Sequence, residues 1–239
     1  MDASFQKIKF SQFRLGFQDG VSIAIGYAPI SFTYGLLAKT SGLSMLEAVL
    51  MSVIVFAGAS QYMALSMFAM GTGMLEVIMT TFIVNIRHLL MAASLNEKVE
   101  HETTWKKAIY AFGITDETFS VAATKAGKVS TGYLYGMISL AYVSWVMFST
   151  MGYGVGANLP KVLQESMTIA LYAMFIGLLV PSMKKSTKVM FLALLAAVFN
   201  SIFVFADIMA AGWSIITATL LSSVLIEAAE VLKRKGRGR

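Results

Sequence analysis

The stretch VMFLALLAAVFNSIFVFA, residues 189–206, runs for 18 positions without a charged side chain. As a helix rising 1.5 Å per residue it covers most of the roughly 30 Å of hydrocarbon in a bilayer. A surface helix of a soluble globule keeps one polar face, and this stretch has none. It therefore reads as a membrane span. With it at 188–206, seven further apolar segments follow the same logic, at about 17–39, 45–70, 74–95, 106–125, 131–152, 164–182 and 208–230. Short connections rich in glycine and hydroxyl residues punctuate them, as at Thr40-Ser41-Gly42 and Gly71-Thr72-Gly73. The predicted fold is all-α, a polytopic transmembrane helix bundle of about 7–8 membrane segments, with 45–70 read as a crossing or as a broken, re-entrant segment.

Composition supports this: 57% of residues are hydrophobic and 13% charged, against about a quarter charged in an ordinary soluble domain. The mean hydropathy is +0.71. The expected organisation is a cytoplasmic or interfacial N-terminal segment at 1–16, a single transmembrane transport domain at 17–230 and a basic cytoplasmic tail at 231–239. Although the net charge is +6, Lys233, Arg234, Lys235, Arg237 and Arg239 crowd the end of the chain. That is the pattern of a cytoplasmic tail rather than of a nucleic-acid partner. Cysteine is absent, which excludes disulfides, thiolate metal sites and cysteine nucleophiles. The basic start superficially resembles a signal peptide, but the apolar run after it is too long and is followed by more spans.

Lys and Arg in the connections set orientation. With the N-terminus inside and eight crossings, Lys7, Lys9, Arg14, Lys125, Lys128, Lys184, Lys185, Lys188 and the tail lie inside. Lys39, Lys98, Lys106, Lys107 and Lys161 lie outside. The connection 96–107 conflicts with the rule, and a broken or re-entrant 45–70 relieves the conflict. Both termini are expected on the cytoplasmic side of a bacterial plasma membrane.

Polar groups at bilayer depth are costly and mark function. Arg87, His88, Asp116 and Glu117 fall within apolar segments, and counting 1.5 Å per residue from the shared connection puts Arg87 and Asp116 at one depth. Arg87 is therefore expected to pair with Asp116 or Glu117, because an unpaired charge there is far less tolerable. Asn85 and His88 share a helix face while Arg87 points elsewhere, so this motif serves two surfaces. His88 is a candidate proton carrier. Gly58-Ala59-Ser60-Gln61 places small and polar residues in an apolar run, permitting a break whose freed N–H groups suit a carboxylate. Pro29, between Gly26 and Ser31, is expected to kink the first span. Gly20, Ala24 and Ala28 recur every fourth position and allow close helix contact.

Several blocks then occur together: Gly42-Leu43-Ser44 with Glu47-Ala48, Phe56-Ala57-Gly58-Ala59-Ser60-Gln61, Thr80-Thr81 with Asn85-Ile86-Arg87-His88-Leu89-Leu90, and Thr115-Asp116-Glu117-Thr118-Phe119. In order and spacing they closely resemble the AzlC family of branched-chain amino-acid permeases over about the first half of the chain. Ala173 to Pro181 adds a shorter match. Tyr27-Ala28-Pro29-Ile30-Ser31-Phe32-Thr33 departs from the pattern in being more hydroxylated, which bears on substrate preference. The resemblance implies export of leucine, isoleucine and valine together with a small AzlD-type membrane subunit. For such a zwitterion, Gly58, Ser60 and Gln61 are candidates for the carboxylate, Asp116 and Glu117 for the ammonium, and Asn85 and Pro29 for the surrounding site. Arg87, His88, Asp116 and Glu117 are candidates for ion pairing or proton antiport.

No enzyme is expected, since there is no His-Glu-x-x-His helix, no Gly-x-Ser-x-Gly elbow and only two histidines. No cofactor or metal is expected either. The alternatives are an exporter or channel for another small neutral metabolite such as methionine, and a non-transporting scaffold subunit.

Overall fold

The computed structural model describes residues 3–162, 166, 169, 176, 177, 179, 180, 182–184 and 186–237. Its helices are α1 (Ala3–Thr40), α2 (Met45–Ile54), α3 (Gly58–Ala69), α4 (Met74–Lys98), α5 (Thr104–Phe112), α6 (Asp116–Thr124), α7 (Thr131–Val155), α8 (Thr187–Phe205) and α9 (Ala211–Arg237). Among the described residues five helices are long and apolar enough to cross a membrane, namely α1, α4, α7, α8 and α9. With the two broken segments, this is the polytopic helix bundle expected. The segment expected at 164–182 lies mostly outside the described residues. Residues 1–65 with 84–170 form one compact unit, and 66–83 with 171–239 a second.

In the first unit α1 and α7 run parallel in close contact. A Cβ at Gly16 would collide with the Tyr133 backbone, at Gly20 with Met137, at Gly35 with Ser149 and at Gly152 with Phe32. Ser144 Oγ also donates to Ala24 O over 2.8 Å. Glycine lets the backbones approach this closely, as membrane helices require when no hydrophobic effect drives them together. Gly20 and Ala24 thus serve the packing expected of them. The helix α1 runs without a break from Ala3 through the first span.

Against α7 as a ruler, two segments turn back. Tyr153 Oη donates to Leu43 O near the far end of α7, and Tyr142 Oη donates to Val53 O at its middle. So α2 descends from one end to the centre. Gly58 then sits against Trp145, while Tyr62 Oη donates to Ile30 O and stacks edgewise on Tyr34. Thus α3 climbs back toward the end from which α2 came. The pair α5–α6 mirrors this from the other side. Thr131 and Tyr135, at the start of α7, bond Glu102 and the Lys106 carbonyl, Gly113 meets Ile138, and Lys125 returns to Asp19 of α1, level with the start of α7. With 10, 12, 9 and 9 residues, none of α2, α3, α5 or α6 can cross alone.

The segment at 106–125 is therefore a re-entrant pair of half-helices, not the simple crossing expected, while 45–70 is broken as anticipated. Both tips are buried: Phe56 and Ala57 in one, Gly113, Ile114 and Thr115 in the other. Irregular backbone at membrane depth survives only under such cover. Local sequence starts each half-helix. Ser44 and Glu47 form a capping box on α2, and Thr115 caps α6 with Thr118 in reciprocal contact.

This topology removes the charge conflict. Because 45–70 returns, α4 ends at the face where α1 begins, and Lys98, Lys106, Lys107, Lys125 and Lys128 join Lys7, Lys9 and Arg14 there. Lys39 and Lys161 lie toward the opposite face. The natural absence of cysteine makes this directly testable. Lys107→Cys and Lys128→Cys are expected to react with a membrane-impermeant thiol reagent from one side only, and Lys39→Cys from the other. Reaction of Lys107→Cys from the Lys39 side would restore a crossing at 106–125.

In the second unit α8 and α9 form an antiparallel hairpin, turned at Asp207 with φ +50°. Lys188 bridges Glu227 and Glu230 at 2.6 and 3.2 Å, and Ser214 bonds Asn200. Glu76 is buried and accepts from the Trp213 N–H over 2.9 Å, an anionic cap on the positive end of α9. The helix α9 continues as far as Arg237, so the basic end begins as helix.

Candidate functional site

The two re-entrant tips are bridged by Tyr27 and Tyr142 within the first unit, and each hands over to a helix whose N-terminus lies there. α6 begins with Asp116 and Glu117, which complement its dipole. α3 begins Gly58-Ala59-Ser60 with no acid in its first turn, and those three N–H groups have no acceptor among the described residues. One N-terminus is thus compensated, and the other keeps its partial positive charge and free donors.

Two lines of polar contacts join the tips. Along α4, Ser60 Oγ donates to Asn85 Oδ1 over 2.5 Å, and two residues on Arg87 Nη1 lies 2.9 Å from Asp116 Oδ2. Asn85 therefore serves one hairpin and Arg87 the other, matching the two surfaces expected of the motif. Along α7 and α1, Trp145 Nε1 donates to Gln61 Oε1 over 2.9 Å. The Trp145 ring packs edgewise on Tyr27 with centroids 5.1 Å apart. Tyr27 Oη donates to Glu117 Oε2 over 2.6 Å and lies 2.7 Å from Thr115 Oγ1. Phe56, from the first tip, packs edgewise on Tyr27, Tyr142 and Trp145.

The cluster is not saturated. Gln61 is fully buried, yet its Nε2 has no partner among the described residues, and neither has Arg87 Nε. A buried donor without an acceptor costs about 1–3 kcal/mol, so these atoms mark a place where an acceptor is wanted. Asp116 and Glu117 against Arg87 leave one formal negative charge in excess. The arrangement thus offers unpaired N–H donors on the α3 side and surplus carboxylate on the α6 side.

Of the residues singled out from sequence, Gly58, Ser60, Gln61, Asn85, Arg87, Asp116 and Glu117 are brought together. His88 is half-buried on α4 and makes no hydrogen bond with a described residue. Pro29 is exposed on α1, outside the cluster, and α1 continues through it. Tyr27, Thr115 and Trp145 were not among the candidates. Tyr27 stood within a stretch whose hydroxyl content was noticed and Thr115 within a quoted block, whereas Trp145, in an apolar span, gives no local signal. Trp145→Phe removes the one hydrogen bond seen on the Gln61 side chain. It is expected to lower detergent-solubilised stability by about 1–3 kcal/mol, read as a fall in melting temperature. An unchanged melting temperature would show that Gln61 finds another partner.

The profile of the AzlC protein family matches residues 22–159, a span that contains both hairpins and the whole cluster. The chain is 31% identical over 178 residues to an uncharacterized membrane protein of Archaeoglobus fulgidus, covering 74% of this chain and 78% of that one. It is 31% identical over 181 residues to the inner membrane protein YgaZ of Escherichia coli, covering 72% and 74%. The branched-chain amino acid transport protein AzlC of Bacillus subtilis is 26% identical over 183 residues, covering 75% and 71%. No solved structure matches the chain.

Proposed function

The chain belongs to the AzlC family, and from that premise we propose that it is the large subunit of an exporter of the branched-chain amino acids leucine, isoleucine and valine. The observation that carries the reading is the unsaturated cluster between the two half-helix N-termini. A zwitterion presents a carboxylate and an ammonium a short distance apart. The free N–H groups of Gly58 to Ser60 and the Gln61 amide suit the first, and Asp116 with Glu117 suits the second. Asn85 orients Ser60, and the aromatic residues around Tyr27 supply apolar surface. The basic face of the first unit is the cytoplasmic one on the positive-inside rule, in the plasma membrane. A small AzlD-type subunit completes the assembly.

Efflux of preloaded labelled leucine, isoleucine and valine from cells carrying the chain with its small subunit tests this. Faster efflux, lost in an Asp116→Asn, Glu117→Gln variant that still reaches the membrane, is the expected result. Unchanged efflux in that variant removes the acids from the mechanism, and no efflux from inserted complex removes the substrate assignment.

Concentrative export needs coupling, and Glu117, held by the Tyr27 hydroxyl, is the group we assign to proton antiport, with His88 beside Arg87 as a further carrier. Glu117→Gln is expected to abolish efflux driven by a proton gradient and to weaken, without abolishing, exchange of labelled for unlabelled leucine, since Asp116 still faces the ammonium. Efflux in the unaltered protein that persists after collapse of the gradient would contradict it.

A further inference from the structure

At the basic face the α5–α6 hairpin is fastened by exposed polar contacts. Lys125, just past α6, places Nζ 2.7 Å from Asp19 Oδ2 on α1, with the two side chains 44% and 36% exposed. Tyr133 of α7 donates its hydroxyl to the same Asp19 oxygen over 2.6 Å, and the Lys125 ammonium lies over the Tyr133 ring. Lys98, at the end of α4, donates to the Ala123 and Lys125 carbonyls that close α6. Beside this fastening a cleft of about 370 Å3 opens between α1 and α6, lined by Gln18, Asp19, Ser22, Val121, Thr124 and Lys125. That volume falls within the range of small-molecule sites, roughly 300–1,000 Å3.

Resting on the exporter reading, we infer that this cleft is an entry subsite for zwitterionic α-amino acids, and that its occupant opens the hairpin. The chemistry is an exchange of partners. Asp19 and Lys125 satisfy one another when the cleft is empty. An amino acid brings one ammonium and one carboxylate, so it pairs with Asp19 and Lys125 in turn and releases them from each other with no net change in charge. Gln18, Ser22 and Thr124 supply neutral hydrogen-bonding groups, and Val121 an apolar contact. A singly charged amine or acid can pair with only one member and strands the other. An exposed ion pair is weak, up to about fivefold in an equilibrium, which suits a fastening that must part in every cycle. α6 is a single nine-residue half-helix with Lys125 at one end and Asp116 and Glu117 at the other. Freeing its outer end therefore also frees the acids of the central cluster, and movement of the hairpin admits the substrate to them.

The test uses single cysteines in inverted membrane vesicles that expose the basic face to an impermeant maleimide. Ser22→Cys lines the cleft, and Ala122→Cys lies on the fully buried side of α6. L-Leucine is expected to slow labelling of the first and to speed labelling of the second by about threefold to fivefold. Isopentylamine and 4-methylpentanoate, each lacking one charge, are expected to do neither. Asp19→Asn with Lys125→Gln is expected to label rapidly at Ala122→Cys without leucine and to lose the response to it. The opposite signs at the two positions separate a bound ligand from a misfolded variant. If leucine is exported but changes labelling at neither position, the subsite is overturned and the exporter reading stands. If leucine is not exported while another zwitterionic amino acid gives both responses, the substrate assignment fails and the subsite stands. Equal responses to the singly charged analogues would overturn the exchange of partners.

Discussion

Asp116→Asn is expected to cut efflux by at least a hundredfold and to lower the folded amount of the protein, because it removes the direct ion-pair partner of Arg87 while Glu117 stays engaged with Tyr27. A lone arginine at membrane depth costs about 2.5–3.5 kcal/mol on insertion scales. The side chains of the pair keep 38% and 26% of their exposure, so the cost falls below that range, at about 2 kcal/mol, or more than tenfold in the folded fraction. Arg87→Gln is expected to do comparable damage by stranding two acids, Asp116 and Glu117, with no cation. The double variant Arg87→Gln, Asp116→Asn restores much of the folded amount, since removing both charges of a half-buried pair is far cheaper than stranding one. It does not restore efflux, because the site has then lost an acid that the proposed ammonium needs. Melting curves of the purified single and double variants give the coupling energy, expected at about 2 kcal/mol. Additive single effects would mean that the contact is incidental.

The second large effect lies at the α1–α7 interface. Gly152→Leu is expected to abolish folded protein, with Gly35→Val nearly as severe, because the new Cβ would collide with the Phe32 or Ser149 carbonyl. A flexible side chain can swing aside, but a helix carbonyl cannot move without parting the helices. Overpacking commonly costs about 1–3 kcal/mol, and direct clashes with helix carbonyls, near the C-terminal end of the α1–α7 contact, should exceed that range. Gly26→Ala and Gly154→Ala provide the controls, since nothing lies within 4 Å of a Cβ at either position. Alanine there should leave stability unchanged or raise it by up to about 1 kcal/mol. Fluorescence-detected size exclusion of the tagged variants reads all four. A monodisperse Gly152→Leu would mean that α1 and α7 are not held this closely.

Some of this was legible before the structure. The uncharged run at 189–206 and its fellows determined a membrane helix bundle, because a side chain's transfer energy belongs to the residue and sums along the chain. Gly58 to Gln61 pointed to an interruption of 45–70, since small and polar residues in an apolar run make one inexpensive, although the backbone opens just before them, at Val55 to Ala57, and Gly58 to Gln61 begin α3. Counting helix rise brought Arg87 to Asp116, although Asp116 reaches that depth at the tip of a hairpin rather than halfway along a crossing. Only the tertiary structure decided that 106–125 turns back, for hydropathy carries no direction and a half-helix pair has the same apolar content as a span. The return depends on which neighbours cover Gly113, Ile114 and Thr115, and those neighbours, Ile138 and Tyr27 among them, come from helices remote in sequence. Trp145 and Tyr27 likewise became part of the site through the parallel seating of α7 on α1, a contact made by glycines whose spacing permits close approach but does not name the partner.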